Sequence, residues 1–227
     1  MQHLPSSQRI RIWDLPTRIF HILLGLFVTG LLITGELGGD LMQLHFLLGY
    51  TVLTLVFFRL VWGFVGGHWS RFANFVPMPK DLLAYARLMR MKPKQLNVGH
   101  NPFGAVSVIV MLSLLLLQVF SGFMSDDEIT NTGPWTALVP SSWVSLATEY
   151  HTEVGKVLLL LLIALHIASV LYYKYFHHDD LITPMLTGDK VLAPETQDSR
   201  DTLTSRLFAL SILAGCAYVV YRLVCLS

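Results

Sequence analysis

Charge is scarce in this chain. Only 14% of its 227 residues are Asp, Glu, Lys or Arg, against roughly a quarter in an average soluble domain, so polar residues are too few to cover a globular surface. Neither sign is in excess. Sixteen Lys and Arg face fifteen Asp and Glu for a net charge of +1, which excludes a basic nucleic-acid binder and an acidic disordered tail. Cysteine is scarcer still. Cys216 and Cys225 sit in one apolar run, and their spacing is not that of a zinc knuckle, a disulfide framework or a CxxCH site for covalent haem. The sequence also lacks internal repeats, low-complexity tracts, and the strict alternation that a membrane β-barrel strand requires.

What remains is apolar: 53% of residues are hydrophobic and the mean hydropathy is +0.56. A bilayer core is crossed by about 20 apolar helical residues. Five stretches qualify, near Ile19 to Gly35, Leu44 to Val65, Phe103 to Phe123, Val154 to Tyr175 and Leu207 to Leu226. Each is rich in Leu, Ile, Val and Phe, which predicts five transmembrane helices.

The loops set their direction. Arg9, Arg11 and Arg18 oppose Asp14 in the N-terminal tail, and Arg71, Lys80, Arg87, Arg90, Lys92 and Lys94 oppose Asp81 in the second loop. The first loop has only Glu36 and Asp40, and the third only Asp126, Asp127, Glu128 and Glu149. Basic loops stay cytoplasmic, so the N-terminus and the second and fourth loops are expected inside, and the C-terminus outside. The first apolar stretch is followed by Thr-Gly-Glu-Leu-Gly-Gly-Asp with no A-x-A site, and is retained as a span rather than a cleaved signal peptide.

Between spans, Asp81 to Met91, bracketed by Pro77, Pro79 and Pro93, suits a short amphipathic surface helix. Asn101-Pro102 reads as an N-cap followed by proline at the first helical position. Trp135 and Trp143 suit an interfacial segment. The expected organisation is a four-helix transmembrane domain over 1–178, a polar cytoplasmic tether over 179–202, and an additional C-terminal transmembrane helix over 203–227.

Nine histidines stand out in so apolar a chain. Four lie within or at the ends of spans: His21, His45, His151 and His166. Ionisable residues inside a membrane are costly and point to function. By the orientation above, His21 lies in the inner half, while His45 and His151 lie near the outer face. His166 lies about 22 Å inward of His151 at 1.5 Å per residue. The four sort into two levels, His45 with His151 and His21 with His166, matching two bis-imidazole metal centres stacked across the bilayer. On helix four the two histidines differ by only about 60° in azimuth, so one stripe can serve both.

Glycine adds to the pattern. Gly25, Gly49 and Gly155 each follow His21, His45 and His151 by four residues, while His166 has Val170 there and Ser169 just before. A flat macrocycle perpendicular to an imidazole needs bare backbone beside it. Three matches of four favour haem over a compact zinc or copper site. The bland readings are that glycines let membrane helices pack closely, and that His45 and His151 are polar boundary residues. His3, His68, His177 and His178 read as solvated, and His100 as structural, with contact to an inner haem propionate as the alternative.

Arg59 lies about 21 Å inward of His45 and within about 40° of its face. Its guanidinium suits a haem propionate, because arginine pairs carboxylates bidentately. Arg18, one turn before His21, could serve similarly. For both, the alternative is snorkelling to inner headgroups. Lys156 could meet a propionate, a quinone or a small oxidant, or snorkel.

These residues carry a resemblance. The segments are Trp13-Asp14-Leu-Pro-Thr-Arg18-Ile-Phe-His21, His45-Phe-Leu-Leu-Gly49-Tyr, Phe58-Arg59-Leu-Val-Trp-Gly-Phe, Gly99-His100-Asn-Pro-Phe-Gly104, His151 to Gly155, and Pro184-Met-Leu-Thr-Gly188-Asp-Lys190. Over roughly residues 9 to 190 the chain resembles the bacterial b-type cytochromes that include cytochrome b561 and the cytochrome b subunit of nickel–iron hydrogenases. The resemblance implies four transmembrane helices holding non-covalent b haem by histidine, in the bacterial inner (cytoplasmic) membrane. It implies electron exchange between the quinone pool and a partner protein. The family's helix-one and helix-two histidines fall on His21 and His45, and its helix-four pair on His151 and His166; the pairing by level rests on depth. The fifth helix lies outside the resemblance.

The fold class is therefore all-α: an integral membrane four-helix haem-binding bundle plus a fifth C-terminal transmembrane helix. The expected cofactors are two non-covalent haem b groups, with quinone as a second redox molecule. The expected partners are membrane lipid, quinone and a periplasmic redox protein such as a c-type cytochrome, with no nucleic acid. Asp126, Asp127 and Glu128 could steer a basic partner. Two rivals differ in class: a membrane oxidoreductase acting on a small oxidant such as superoxide with quinone as co-substrate, and a haem-free carrier of transition metal ions.

Overall fold

In the lipid interior every backbone polar group must be paired within its own segment, and helices achieve this. The computed structural model, which describes residues 8–90, 98–127 and 129–226, follows that logic. Its elements are β1 (Gln8–Arg11), α1 (Leu15–Leu37), α2 (Met42–Val65), α3 (Phe72–Phe75), α4 (Pro79–Arg90), α5 (Pro102–Phe123), α6 (Ser141–Glu149), α7 (Lys156–Phe176), α8 (Ile182–Thr187), β2 (Asp189–Leu192) and α9 (Leu203–Val224). A π-helical turn, Tyr150–Gly155, joins α6 to α7. Among the described residues five helices are long and apolar enough to cross a membrane, α6 and α7 forming one of them through that turn. The protein is an all-α multi-pass membrane protein.

Outward-facing apolar side chains mark the lipid-directed faces, for example Leu26 and Leu161, more than half exposed. The surface helix expected around Asp81 to Met91 is present as α4. Lys92, Pro93, Lys94, Met91, His3 and Glu128 lie outside the described residues. Asn101 caps α5, its Oδ1 accepting from Gly104 N–H at 2.7 Å, with Pro102 first in the helix as expected.

The chain divides into two units. One comprises Met1–Ile19, Leu60–Ile109 and Leu165–Ala209. Here β1 pairs antiparallel with β2, Gln8 opposite Leu192 and Arg11 opposite Asp189. Ile10, Ile12, Trp13 and Leu192 form its buried apolar cluster, with Trp69, Val98 and Met185 against it. Asp14 is fully buried and begins α1. Its carboxylate accepts from Thr17 N–H at 2.8 Å, Gly67 N–H at 2.8 Å, Ser70 Oγ–H at 3.1 Å and the Trp62 indole at 3.2 Å.

The polar segment over 179–202 is built into this unit. Asp180 accepts from Ile182 N–H and Thr183 N–H at the start of α8, and Gly188 ends α8 in the left-handed region at φ +96°. Ser199 donates its hydroxyl to the Ile12 carbonyl at 2.6 Å and its amide to the Arg11 carbonyl at 2.7 Å. Arg11 meets Asp189 and Asp201, each at 2.5 Å. Burial opposes ionisation of Asp201, but bonds from Arg206, Leu15 N–H and Arg11 outweigh it and lower its pKa.

The other unit comprises Phe20–Arg59, Val110–Ala164 and Leu210–Ser227. Its aromatic centre stacks Trp135 on Phe120, ring centres 5.5 Å apart. The Trp135 indole donates to the Leu223 carbonyl at 2.9 Å, tying α9 to the loop after α5. Trp135 is thus engaged in protein packing, whereas Trp143 is exposed.

Candidate functional site

Within the second unit, His45 on α2 and His151 in the π-helical turn face each other. Their ring centres lie 6.1 Å apart with planes at 84°. His45 Nδ1–H donates to the Leu31 carbonyl at 3.1 Å, with Thr34 Oγ1 also at 3.1 Å. The Thr34 hydroxyl donates to the Gly30 carbonyl, so its oxygen is free to accept. His151 Nδ1–H donates to the Gln118 carbonyl at 2.8 Å. Carbonyl oxygens only accept, so each ring carries a proton on Nδ1, and a neutral ring so bonded keeps its lone pair on Nε2. That is the tautomer a metal-ligating imidazole needs, with its ring fixed from behind.

The two rings line a cavity of about 400 Å³ together with Gly35, Gly49, Gly122 and Tyr50, within the range of small-molecule and cofactor sites. Two imidazoles gripping one metal ion from opposite sides, at about 2 Å per metal–nitrogen bond, have ring centres roughly 6 Å apart. The glycines show how little space the rings leave. A Cβ on Gly122 would lie 2.8 Å from His151 Cε1, and one on Gly35 would lie 3.0 Å from His45 Cε1. Gly49 also lines the cavity, but a Cβ there meets nothing within 4 Å. The residues present therefore fit a flat macrocycle that two imidazoles would hold. Among the described residues no group of three or more His, Cys, Asp or Glu side chains could hold a metal ion.

Gly155 departs from the sequence reading. A Cβ there would collide with Gln118 Oε1 and come 2.7 Å from the Tyr150 ring. Its bareness makes room for an amide on α5 and not for a macrocycle.

Glu36, Asp126, Asp127 and Lys156 stand among the residues bounding the cavity. Lys156 Nζ lies 3.4 Å from Glu36 Oε2. The Asp127 carboxylate accepts N–H bonds from Asn131, Ile129 and Thr130 and a side-chain bond from Asn131, which holds it well below the usual carboxylate range.

The remaining predicted residues divide between the units. His21, exposed on α1, and Arg59, buried on α2, belong with His45 and His151. His166, half-buried on α7, and Arg18 belong to the other unit. Arg18 Nη2 donates to the Leu186 carbonyl, and its Nε is buried without a hydrogen-bond partner among the described residues. Three histidines read from sequence as solvated or structural pack on aromatic rings: His68 on Trp69, His177 on Tyr172 and Tyr173, and His100 on Trp13 and Phe75.

Residues 12–188 match the family model described as prokaryotic cytochrome b561. The chain is 24% identical over 214 residues to a protein named as a probable Ni/Fe-hydrogenase B-type cytochrome subunit from Bradyrhizobium diazoefficiens, covering 80% of this chain and 85% of that one. A protein of the same name from Azotobacter chroococcum mcd 1 is 22% identical over 220 residues, covering 83% and 91%. No solved structure matches the chain.

Proposed function

The chain belongs to the prokaryotic cytochrome b561 family, and from that premise we propose that it carries two b haems and passes electrons between the quinone pool and a redox protein on the outer side of the membrane. It is a membrane b-type cytochrome of electron transfer. In the proposal His45 and His151 hold one haem, and His21 and His166 are each haem ligands as well.

The observation that carries this reading is the His45–His151 pair, 6.1 Å apart with both Nδ1 atoms tied to helix carbonyls. Haem held there by His45 and His151 would supply one-electron chemistry, which suits electron transfer over oxygen activation. The chain's own residues orient the rings, clear space beside them and shield them with apolar side chains. Arg59 and Arg18 are the proposed propionate partners; the buried, unpartnered Nε of Arg18 is a donor that a carboxylate would satisfy.

The same proposal has the N-terminus in the cytoplasm of a bacterium, in its inner membrane, with residues 1–178 as the haem domain, 179–202 as a cytoplasmic tether and 203–227 as an added span. Support comes from the basic second loop and the acidic first and third loops. Acidic Glu36, Asp126 and Asp127 at the cavity favour a basic partner such as a c-type cytochrome. The names of the two relatives make a hydrogenase the other partner class. The small-oxidant reading rests on Lys156, whose ammonium is engaged by Glu36.

The test is reduction by quinol in proteoliposomes. Quinol should reduce the b haem, and an added basic c-type cytochrome should reoxidise it more slowly as salt rises. Failure of quinol to reduce a correctly loaded protein would remove the quinone link.

A further inference from the structure

We infer that Gln118 is the positioning residue for His151, and that Gly155 exists to admit it. The inference rests on the reading of His151 as a haem ligand.

Gln118 carries the one primary amide within α5, in the run Leu114-Leu115-Leu116-Leu117-Gln118-Val119-Phe120. A polar side chain in a membrane helix bonds to a neighbouring helix when it has work there. This residue touches His151 at two points. Its backbone carbonyl accepts His151 Nδ1–H at 2.8 Å, and its side-chain Nε2 donates to the His151 carbonyl at 2.8 Å. Only this sense of the amide is allowed, since the reverse would set two acceptors face to face. One residue on α5 therefore fixes both the imidazole and the backbone that carries it.

The surroundings agree. His151 lies in a π-helical turn, where i→i+5 pairing replaces i→i+4, and such turns re-aim a side chain. Gly155 offers no Cβ against Gln118 Oε1, so the amide can reach across. Ser121, also buried, donates its hydroxyl to the same Gln118 carbonyl at 2.8 Å, holding the acceptor in line. The substitution Gln118→Met keeps the length of the side chain and the backbone carbonyl but removes the donor.

The experiment uses the full chain loaded with haem in detergent or nanodiscs. It compares wild type, Gln118→Met, Gly155→Ala and the double variant by transfer of haem to an apomyoglobin trap and by electron paramagnetic resonance of the oxidised protein. Each single variant should lose one of its haems about 10–100-fold faster, as for other residues that orient a metal-bound histidine, with an altered low-spin signal. The double variant should be no worse than the worse single one, because both act on one joint. Wild-type release and an unchanged signal in either single variant would overturn the inference, so Gly155→Ala decides alone if Gln118→Met fails to accumulate. His151→Ala separates the two failures. If it retains all haem with the wild-type signal, the ligand reading itself falls; if it loses one haem while Gln118→Met behaves as wild type, only the positioning role falls.

Discussion

Trp62 donates its indole N–H to the carboxylate of Asp14, 3.2 Å from each oxygen and 48 residues away in the sequence. Both side chains are fully buried. The same carboxylate caps α1 through Thr17 and holds the Gly67 turn, so one acid joins the beginning of α1 to the end of α2. A buried acceptor this heavily used leaves several donors stranded when removed.

Asp14→Ala should therefore destabilise the protein by on the order of 3–5 kcal/mol, the range for stranding buried hydrogen-bonding groups. The measurement is thermal unfolding of the haem-loaded protein in detergent. A melting temperature within experimental error of wild type would show that the network is not holding the unit together.

Substitutions at Gly122 and Gly49 should both cost haem, for different reasons. A Cβ at Gly122 meets the His151 ring at 2.8 Å, so Gly122→Ala should displace the imidazole and lower haem content. A side chain at Gly49 has free space in the protein itself and helical alanine is favoured over glycine by about 0.5–1 kcal/mol. Gly49→Leu should then leave the haem-free chain at least as stable while excluding haem from the cavity. Haem-to-protein ratios and melting curves on both variants check this.

The Asp127 loop should keep its order into acid. Its carboxyl is held below the ordinary value by bonds from Asn131, Ile129 and Thr130. A depressed native pKa gives stabilisation that is complete above the unfolded value of about 3.9 and is lost as pH falls through the native one. Amide protection factors at Ile129, Thr130 and Asn131 should persist at pH 4 and collapse only below it. In Asp127→Ala they should be low throughout.

Lys156→Ala should leave the melting temperature and haem spectrum unchanged, because its ion pair with Glu36 is solvent-exposed and such pairs contribute at most about 1 kcal/mol. A large loss of turnover with a small anionic oxidant in this variant would favour the oxidoreductase reading instead.

The spans were legible in the sequence because a run of about 20 apolar residues has few alternatives in water or lipid, and the cap at Asn101 follows a local rule. The β1–β2 pairing was not legible: Arg11 and Asp189 are 178 residues apart, and four polar-leaning residues carry little periodic signal. Helix arithmetic puts His45 and His151 at one level, as their facing rings have it, and Gly49 is readable with them because it shares a helix with His45. Gly35 and Gly122 could not, because they meet His45 and His151 from neighbouring elements. The lone amide in the Leu run of α5 was the available signal for Gln118. Gly155 stands four residues after His151, yet that offset coincides with the approach of Gln118, a relation visible only across helices.

The central claim is that His45 and His151 together hold one of two b haems. The most direct measurement is the haem-to-protein ratio with a reduced-minus-oxidised spectrum for wild type, His45→Ala and His151→Ala after growth with ample haem. The account predicts two haems in wild type and the loss of the same single b-type component in both variants. Retention of two haems with wild-type spectra in either variant would contradict it.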